Sequence, residues 1–122
     1  MPHCILEHSI NIIEKIDAKI FFEKLHKIII DSGPFNLSQI KSRVIAQNHY
    51  YVGDGSPNSG FIFLQISILS GRELLIKQTL GERALKYMEA VFSESKNNLN
   101  CSITVEIREM DKETHWRFGR NI

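Results

Sequence analysis

An α+β domain with the element order β-α-β-β-α-β is what this sequence predicts, and three observations carry it. Residues 61–69, FIFLQISIL, hold no charge and read as a buried strand, and residues 101–110, CSITVEIREM, alternate with period two. Two stretches between the strand-like runs instead repeat their apolar side chains at the spacing of one helix face.

The first strand is expected over residues 2–9, where Cys4, Leu6 and His8 fall on one side and His3, Ile5 and Glu7 on the other. From Asp17 the period lengthens. Phe21, Leu25, Ile28 and Ile29 recur at helical spacing, which predicts a helix over 17–32 with Asp17 as N-cap and Gly33-Pro34 as its stop. Residues 40–52 are rich in β-branched and aromatic side chains and run into the turn pair Asp54-Gly55, so they read as the second strand. The third strand, 60–69, is expected to be covered on both faces or nearly so. Ser70-Gly71-Arg72-Glu73 then fits the S-x-x-E capping box. Behind it Ile76, Leu80, Ala84, Tyr87, Met88 and Val91 form an apolar stripe, which predicts a second helix over 72–93. A turn at 97–100 leads to the fourth strand, 101–110, with Ile103, Val105 and Ile107 facing one way, and a polar tail containing Trp116 and Phe118 follows.

At 122 residues, with 43% hydrophobic and 24% charged side chains, the chain is expected to fold as one domain over 1–122. Its 15 basic and 14 acidic residues are interspersed and leave a net charge of +1, so neither nucleic acid nor a membrane surface is an expected partner. Cys4 and Cys101 lie in no metal-ligand spacing and suggest no disulfide framework, which favours a reducing compartment. His3, His8, His26, His49 and His115 show no metal-site pairing, so no metal is expected. The first residues lack the pattern of a secretory signal, and no run approaches the roughly 20 apolar residues that span a bilayer. The expected location is cytoplasmic.

The order of elements alone fits two folds, one of them the ferredoxin-like split βαβ, so the decision passes to particular residues. Met1-Pro2-His3 opens an apolar strand carrying Glu7 and Asn11, and Gly33-x-Phe35-x-Leu37 and Ile40-x-Ser42-Arg43 follow. Then come Asp54-Gly55, Phe61, the Gly71-Arg72 pair and Glu106-Ile107-x-Glu109. Taken in this order over nearly the whole chain, the pattern resembles the 5-carboxymethyl-2-hydroxymuconate isomerases of the tautomerase superfamily. The resemblance implies the tautomerase fold, a four-stranded sheet backed by two helices, assembled as a homotrimer. Similar proteins often carry arginine where this chain has Lys41, and a lysine offers a point charge in place of a rigid bidentate fork.

The same resemblance implies proton-transfer chemistry at Pro2. Once Met1 is removed, the proline nitrogen is a secondary amine, and an α-amino group titrates near about 8, within reach of working pH. With Met1 retained it is an amide and has no basic lone pair. Arg72, at the expected start of the second helix, would clamp a carboxylate or enolate, its alternative being a surface arginine beside a cap. Lys41 and Arg43 are two apart on a strand, so they share a face and could address one carboxylate, or simply form a solvated edge. Phe61, on the same strand face as Phe63, is the candidate apolar wall, although strand aromatics are more often core. No cofactor is required. The expected activity is isomerisation of 5-carboxymethyl-2-hydroxymuconate or a similar unsaturated hydroxy dicarboxylate. Two alternatives stand beside it: a tautomerase of a phenylpyruvate-like keto acid, and a non-catalytic trimeric ligand-binding module.

Overall fold

Among the described residues seven α-helices and β-strands follow one another: β1 (His3–Ser9), α1 (Ala18–Ser32), β2 (Lys41–Gln47), β3 (Ser59–Leu69), α2 (Leu74–Val91), the short α3 (Ser93–Asn98) and β4 (Asn100–Met110). They are seen in a computed structural model that describes residues 2–119. Met1, whose removal the proline chemistry requires, and Arg120 of the tail lie outside the described residues. The strands form one sheet in the order β2-β1-β3-β4. β1 runs parallel to β2 and antiparallel to β3, and β3 runs parallel to β4. Each parallel pair needs a crossover, and α1 and α2 supply them. Because the strands of each βαβ unit are direct neighbours, the split arrangement, with a strand inserted between them, is ruled out.

Both helices lie on one face of the sheet. The even-numbered side chains of β1 and β3, Cys4, Leu6, Ile62, Leu64, Ile66 and Ile68, meet Leu25 and Ile29 of α1 and Leu80, Ala84 and Met88 of α2 in one continuous core. Each fully buried leucine or isoleucine there contributes about 1.5–3 kcal/mol relative to exposure. Among the described residues no helix lies over the odd-numbered face. On it Phe61, Phe63 and Gln65 of β3 are only half-buried, so the expectation of a third strand covered on both faces is corrected: one face is covered by helices.

The first helix is as expected, with the Asp17 carboxylate accepting from the Ile20 N–H at 3.2 Å. Three boundaries differ from the sequence reading. β2 stops at Gln47, five residues short of the expected end, because among the described residues it pairs only with the seven-residue β1 and their register ends at Ser9 opposite Gln47. The second helix begins at Leu74 and not at 72, and no capping box forms. The Ser70 hydroxyl accepts from the Lys112 N–H at 3.1 Å instead, while Glu73 takes the N-cap position without a side-chain bond. Finally, α3 occupies most of the segment read as running into a turn. Its first N–H groups are capped by Glu14, whose carboxylate accepts from the backbone of Glu94 (2.9 Å) and Ser95 (3.1 Å) and from the Ser95 hydroxyl (2.5 Å).

Candidate active site

Pro2 stands directly before β1 and is fully buried. Its carbonyl accepts from the Lys41 N–H at 3.1 Å, which ties it to the start of β2, and a proline has no amide N–H to leave unpaired at a strand opening. The register of His3 with Lys41 on one side and Ser67 on the other brings Pro2 alongside Ile40 and Ile68, both buried on the helix-covered side.

Arg72 approaches the same end of the sheet. β3 finishes at Leu69, opposite Met110, and the Ser70 N–H donates to the Met110 carbonyl at 2.8 Å. Gly71, at φ 105°, adopts a backbone that side chains disfavour, and so turns the chain toward α2. Arg72 therefore lies in the link before the helix, not in its first turn, and its guanidinium carbon sits 4.3 Å from the centre of the Phe35 ring. Its Nε is buried and has no hydrogen-bond partner among the described residues. Phe35 is itself held by a close approach: a Cβ on Gly33 would stand 2.9 Å from Ile76 Cγ2 and 3.1 Å from the Phe35 ring. The chain thus presents a stacked, aromatic-backed cation with a donor left over, at the sheet end where Pro2 begins.

Lys41 and Arg43 belong to that end too, but to the other face. They pair with His3 and Ile5, and these four odd-numbered residues project from the side that no helix covers. The Lys41 ammonium reaches only the Gln39 carbonyl, at 3.5 Å. Among the described residues the ion pairs are Lys77–Glu109 and Arg108–Glu106, so neither Lys41 nor Arg43 has a carboxylate partner. Burial, then the charges of Arg43, Lys41 and His115, hold the His3 imidazole below its ordinary pKa.

Phe61 is at the far end. It pairs with Ser102, its N–H donates to the Ser9 hydroxyl at 3.0 Å, and its ring meets Tyr50 edge-on at 6.1 Å. At the strand rise, the seven residues of β1 put it roughly 20 Å from Pro2. One chain therefore places Pro2 and Arg72 at one sheet end, turns Lys41 and Arg43 to the opposite face, and leaves Phe61 at the other end. Phe35 and His3, the side chains that touch or flank these cations, were not singled out for such roles. Phe35 stood in the Gly33-x-Phe35 motif, which was the available signal, whereas His3 carried none beyond its place beside Pro2. The 480 Å³ cleft beside His8, Ile10 and Val44 and the 260 Å³ cleft beside Phe21 and Tyr87 are lined by neither Pro2 nor Arg72.

Burial pushes the Cys4 thiol up to about 11, so it offers no thiolate near neutral pH. Among the described residues no three histidine, cysteine or carboxylate side chains converge as a metal site, and no helix is long and apolar enough to cross a membrane.

Comparison with known proteins agrees with this architecture. The sequence matches the family described as 5-carboxymethyl-2-hydroxymuconate isomerase over residues 2–121. It is 29% identical over 110 residues to the 5-carboxymethyl-2-hydroxymuconate Delta-isomerase of Escherichia coli, covering 90% of this chain and 87% of that protein. A crystal structure of a 5-carboxymethyl-2-hydroxymuconate isomerase from Deinococcus radiodurans R1 superposes with a TM-score of 0.89 at 20% identity, over 98% of this chain and 90% of that one. The fused 4-OT wild-type symmetric trimer superposes with a TM-score of 0.70 at 12% identity, over 90% of this chain and 86% of that one. This chain is an isomerase and belongs to the 5-carboxymethyl-2-hydroxymuconate isomerase family.

Proposed function

We propose that the protein isomerises 5-carboxymethyl-2-hydroxymuconate or a closely similar unsaturated hydroxy dicarboxylate, with Pro2 as the base once Met1 has been removed. The neutral proline nitrogen takes the hydroxyl proton of the dienol as the electrons shift through the conjugated chain. The prolinium N–H then returns a proton to carbon, giving the ketone and restoring the free amine. Arg72 faces the charge that develops on oxygen, and a cation already fixed against Phe35 does this without reorganising during the step. The observation that carries the reading is the placement of Pro2 and Arg72 at the same end of the sheet, with the Arg72 Nε buried and unpaired among the described residues. No cofactor takes part.

The assembly proposed is a homotrimer in a cytoplasmic setting. Its support is the uncovered sheet face, the separation of Phe61 from Pro2 within one chain, and the family to which the chain belongs. In that assembly the second carboxylate is held by Lys41 or Arg43 and the apolar middle of the substrate by Phe61, each offered by a neighbouring subunit.

Ultraviolet-monitored decay of the dienol tests this, using protein whose intact mass lacks Met1, beside the Pro2→Ala variant. Wild type is expected to exceed the variant by about 10²–10⁴-fold, the range of a lost general base. Equal decay in both would remove Pro2 from the chemistry. A phenylpyruvate-like keto acid is the second reading, and Lys41 in place of an arginine favours it, because a point charge needs no planar carboxylate opposite it. Higher kcat/KM on the monocarboxylate enol than on the dicarboxylate would select it.

A further inference from the structure

We infer that His3, Lys41 and Arg43 form a single binding site for a small dianion on the uncovered sheet face, and that the anion binds together with a proton taken up by His3. The inference rests on the preceding reading only in its assignment of Lys41 and Arg43 to a carboxylate, and it adds His3 and the proton.

The register makes the cluster. His3 lies directly across from Lys41, and Ile5, the next residue on the same face, lies across from Arg43, so the imidazole is flanked by an ammonium and a guanidinium. Both cations are exposed and neither has a carboxylate partner among the described residues. Side chains of β3 add neutral polar groups to the same face, where Ser67 pairs with His3 and Gln65 donates to the Ser67 hydroxyl at 3.2 Å. Glu7, further along β1, accepts from Gln47 at 2.6 Å, and Arg108 and Glu106 of β4 pair with each other at 3.0 Å. His115 of the tail and the amino-terminal nitrogen add further positive influence. No carboxylate faces His3 from β2 or β3.

Such a cluster repels the proton of His3 while it is empty, which agrees with the direction in which the imidazole is displaced. Two negative charges set between Lys41 and Arg43 reverse the local field and favour the imidazolium. By linkage, the anion then binds more tightly as pH falls through the His3 range, and the proton more tightly when the anion is present. The shared chemistry is that of a compact dianion, which a substrate's carboxylates or a free oxyanion can supply.

Sulfate serves as the probe that keeps both charges across the whole His3 range, and succinate, whose carboxylates titrate on its acid side, as the carboxylate probe above that point. The His3 ring resonance, assigned with His3→Gln, is followed by NMR against pH with and without each anion. Saturating anion is expected to raise the His3 pKa, and each unit of rise corresponds to about a tenfold gain in affinity on the acid side. In His3→Gln the affinity becomes independent of pH, and in the Lys41→Ala/Arg43→Ala double variant the rise disappears. An unmoved His3 titration, or an equal rise in the double variant, overturns the site. Competitive inhibition of dienol turnover by both anions assigns the site to the substrate's carboxylates, and binding without inhibition assigns it to a free oxyanion. Failure of dienol turnover with an intact His3 response would sink the functional reading alone.

Discussion

Arg72 gains its orientation from two residues that carry no charge. Gly33 leaves room for the Phe35 ring, and the ring backs the guanidinium at 4.3 Å, so the loop after α1 fixes a cation that belongs to the link before α2. Gly33 itself is extended, at φ 177°, which any residue adopts, so its requirement is one of space. Gly33→Ala is expected to destabilise the fold by about 1–3 kcal/mol through overpacking and to lower kcat/KM, with thermal unfolding and steady-state kinetics as the two measurements. Arg72→Lys keeps the charge but loses the planar stack and the fork. A fall in kcat/KM on the dienol of about 10²-fold or more is expected, with the melting temperature unchanged. A lysine variant as active as wild type would mean that only the charge matters.

At the scale of elements, local patterns and distant partners divide the work. The buried faces of β1 and β3, the stripe of α2 and the Asp17 cap were legible because each is written in consecutive or helically spaced residues. What could not be read was set from far along the chain. The Ser70 hydroxyl is taken by Lys112, so a capping-box sequence makes no box. β2 runs only as far as β1 can pair with it. α3 exists where Glu14, about eighty residues earlier, receives its first N–H groups. Of the site, Pro2, Arg72, Lys41 and Arg43 were named from a family pattern, while Phe35 and His3 draw their interest from register and stacking, which composition does not encode. Glu14 also gives a pH prediction. Burial alone would raise its pKa, but the hydroxyl and N–H of Ser95, with further backbone bonds, outweigh this and hold it below the ordinary value. A lowered folded pKa contributes stability above the unfolded value, near about 4.3, that is lost as pH falls through the folded one. Glu14→Gln is expected to cost about 1 kcal/mol at neutral pH. Its denaturation midpoint should approach that of wild type in acid, and a gap that stays constant with pH would show that the carboxylate charge is not what matters.

For the whole molecule, the decisive feature is a sheet with one face against helices and the other carrying Phe61, Phe63, Ile5 and Ile45 beside cations and polar groups. β2 and β4 are both edge strands, and each has a ladder side that the chain itself leaves unpaired. Sedimentation is expected to report three chains per particle. Phe63→Asp, which places a charge on the open face without touching the helical core, should yield a monomer with unchanged far-ultraviolet circular dichroism. Turnover on the dienol should fall by about 10²-fold or more, as expected when catalytic groups lose their partners. An active monomer would mean that one chain builds the whole site.

The distance between Pro2 and Phe61 reaches into genetics. When opposite ends of the sheet serve one site, two defective alleles can repair each other. On the proposed function, a Pro2→Ala chain and a Phe61→Ala chain are each expected to be inactive alone. Unfolded and refolded together, they are expected to form mixed particles in which an intact Pro2 from one allele meets an intact Phe61 from the other, so that part of the activity returns; no recovery would mean that the two residues do not serve one site.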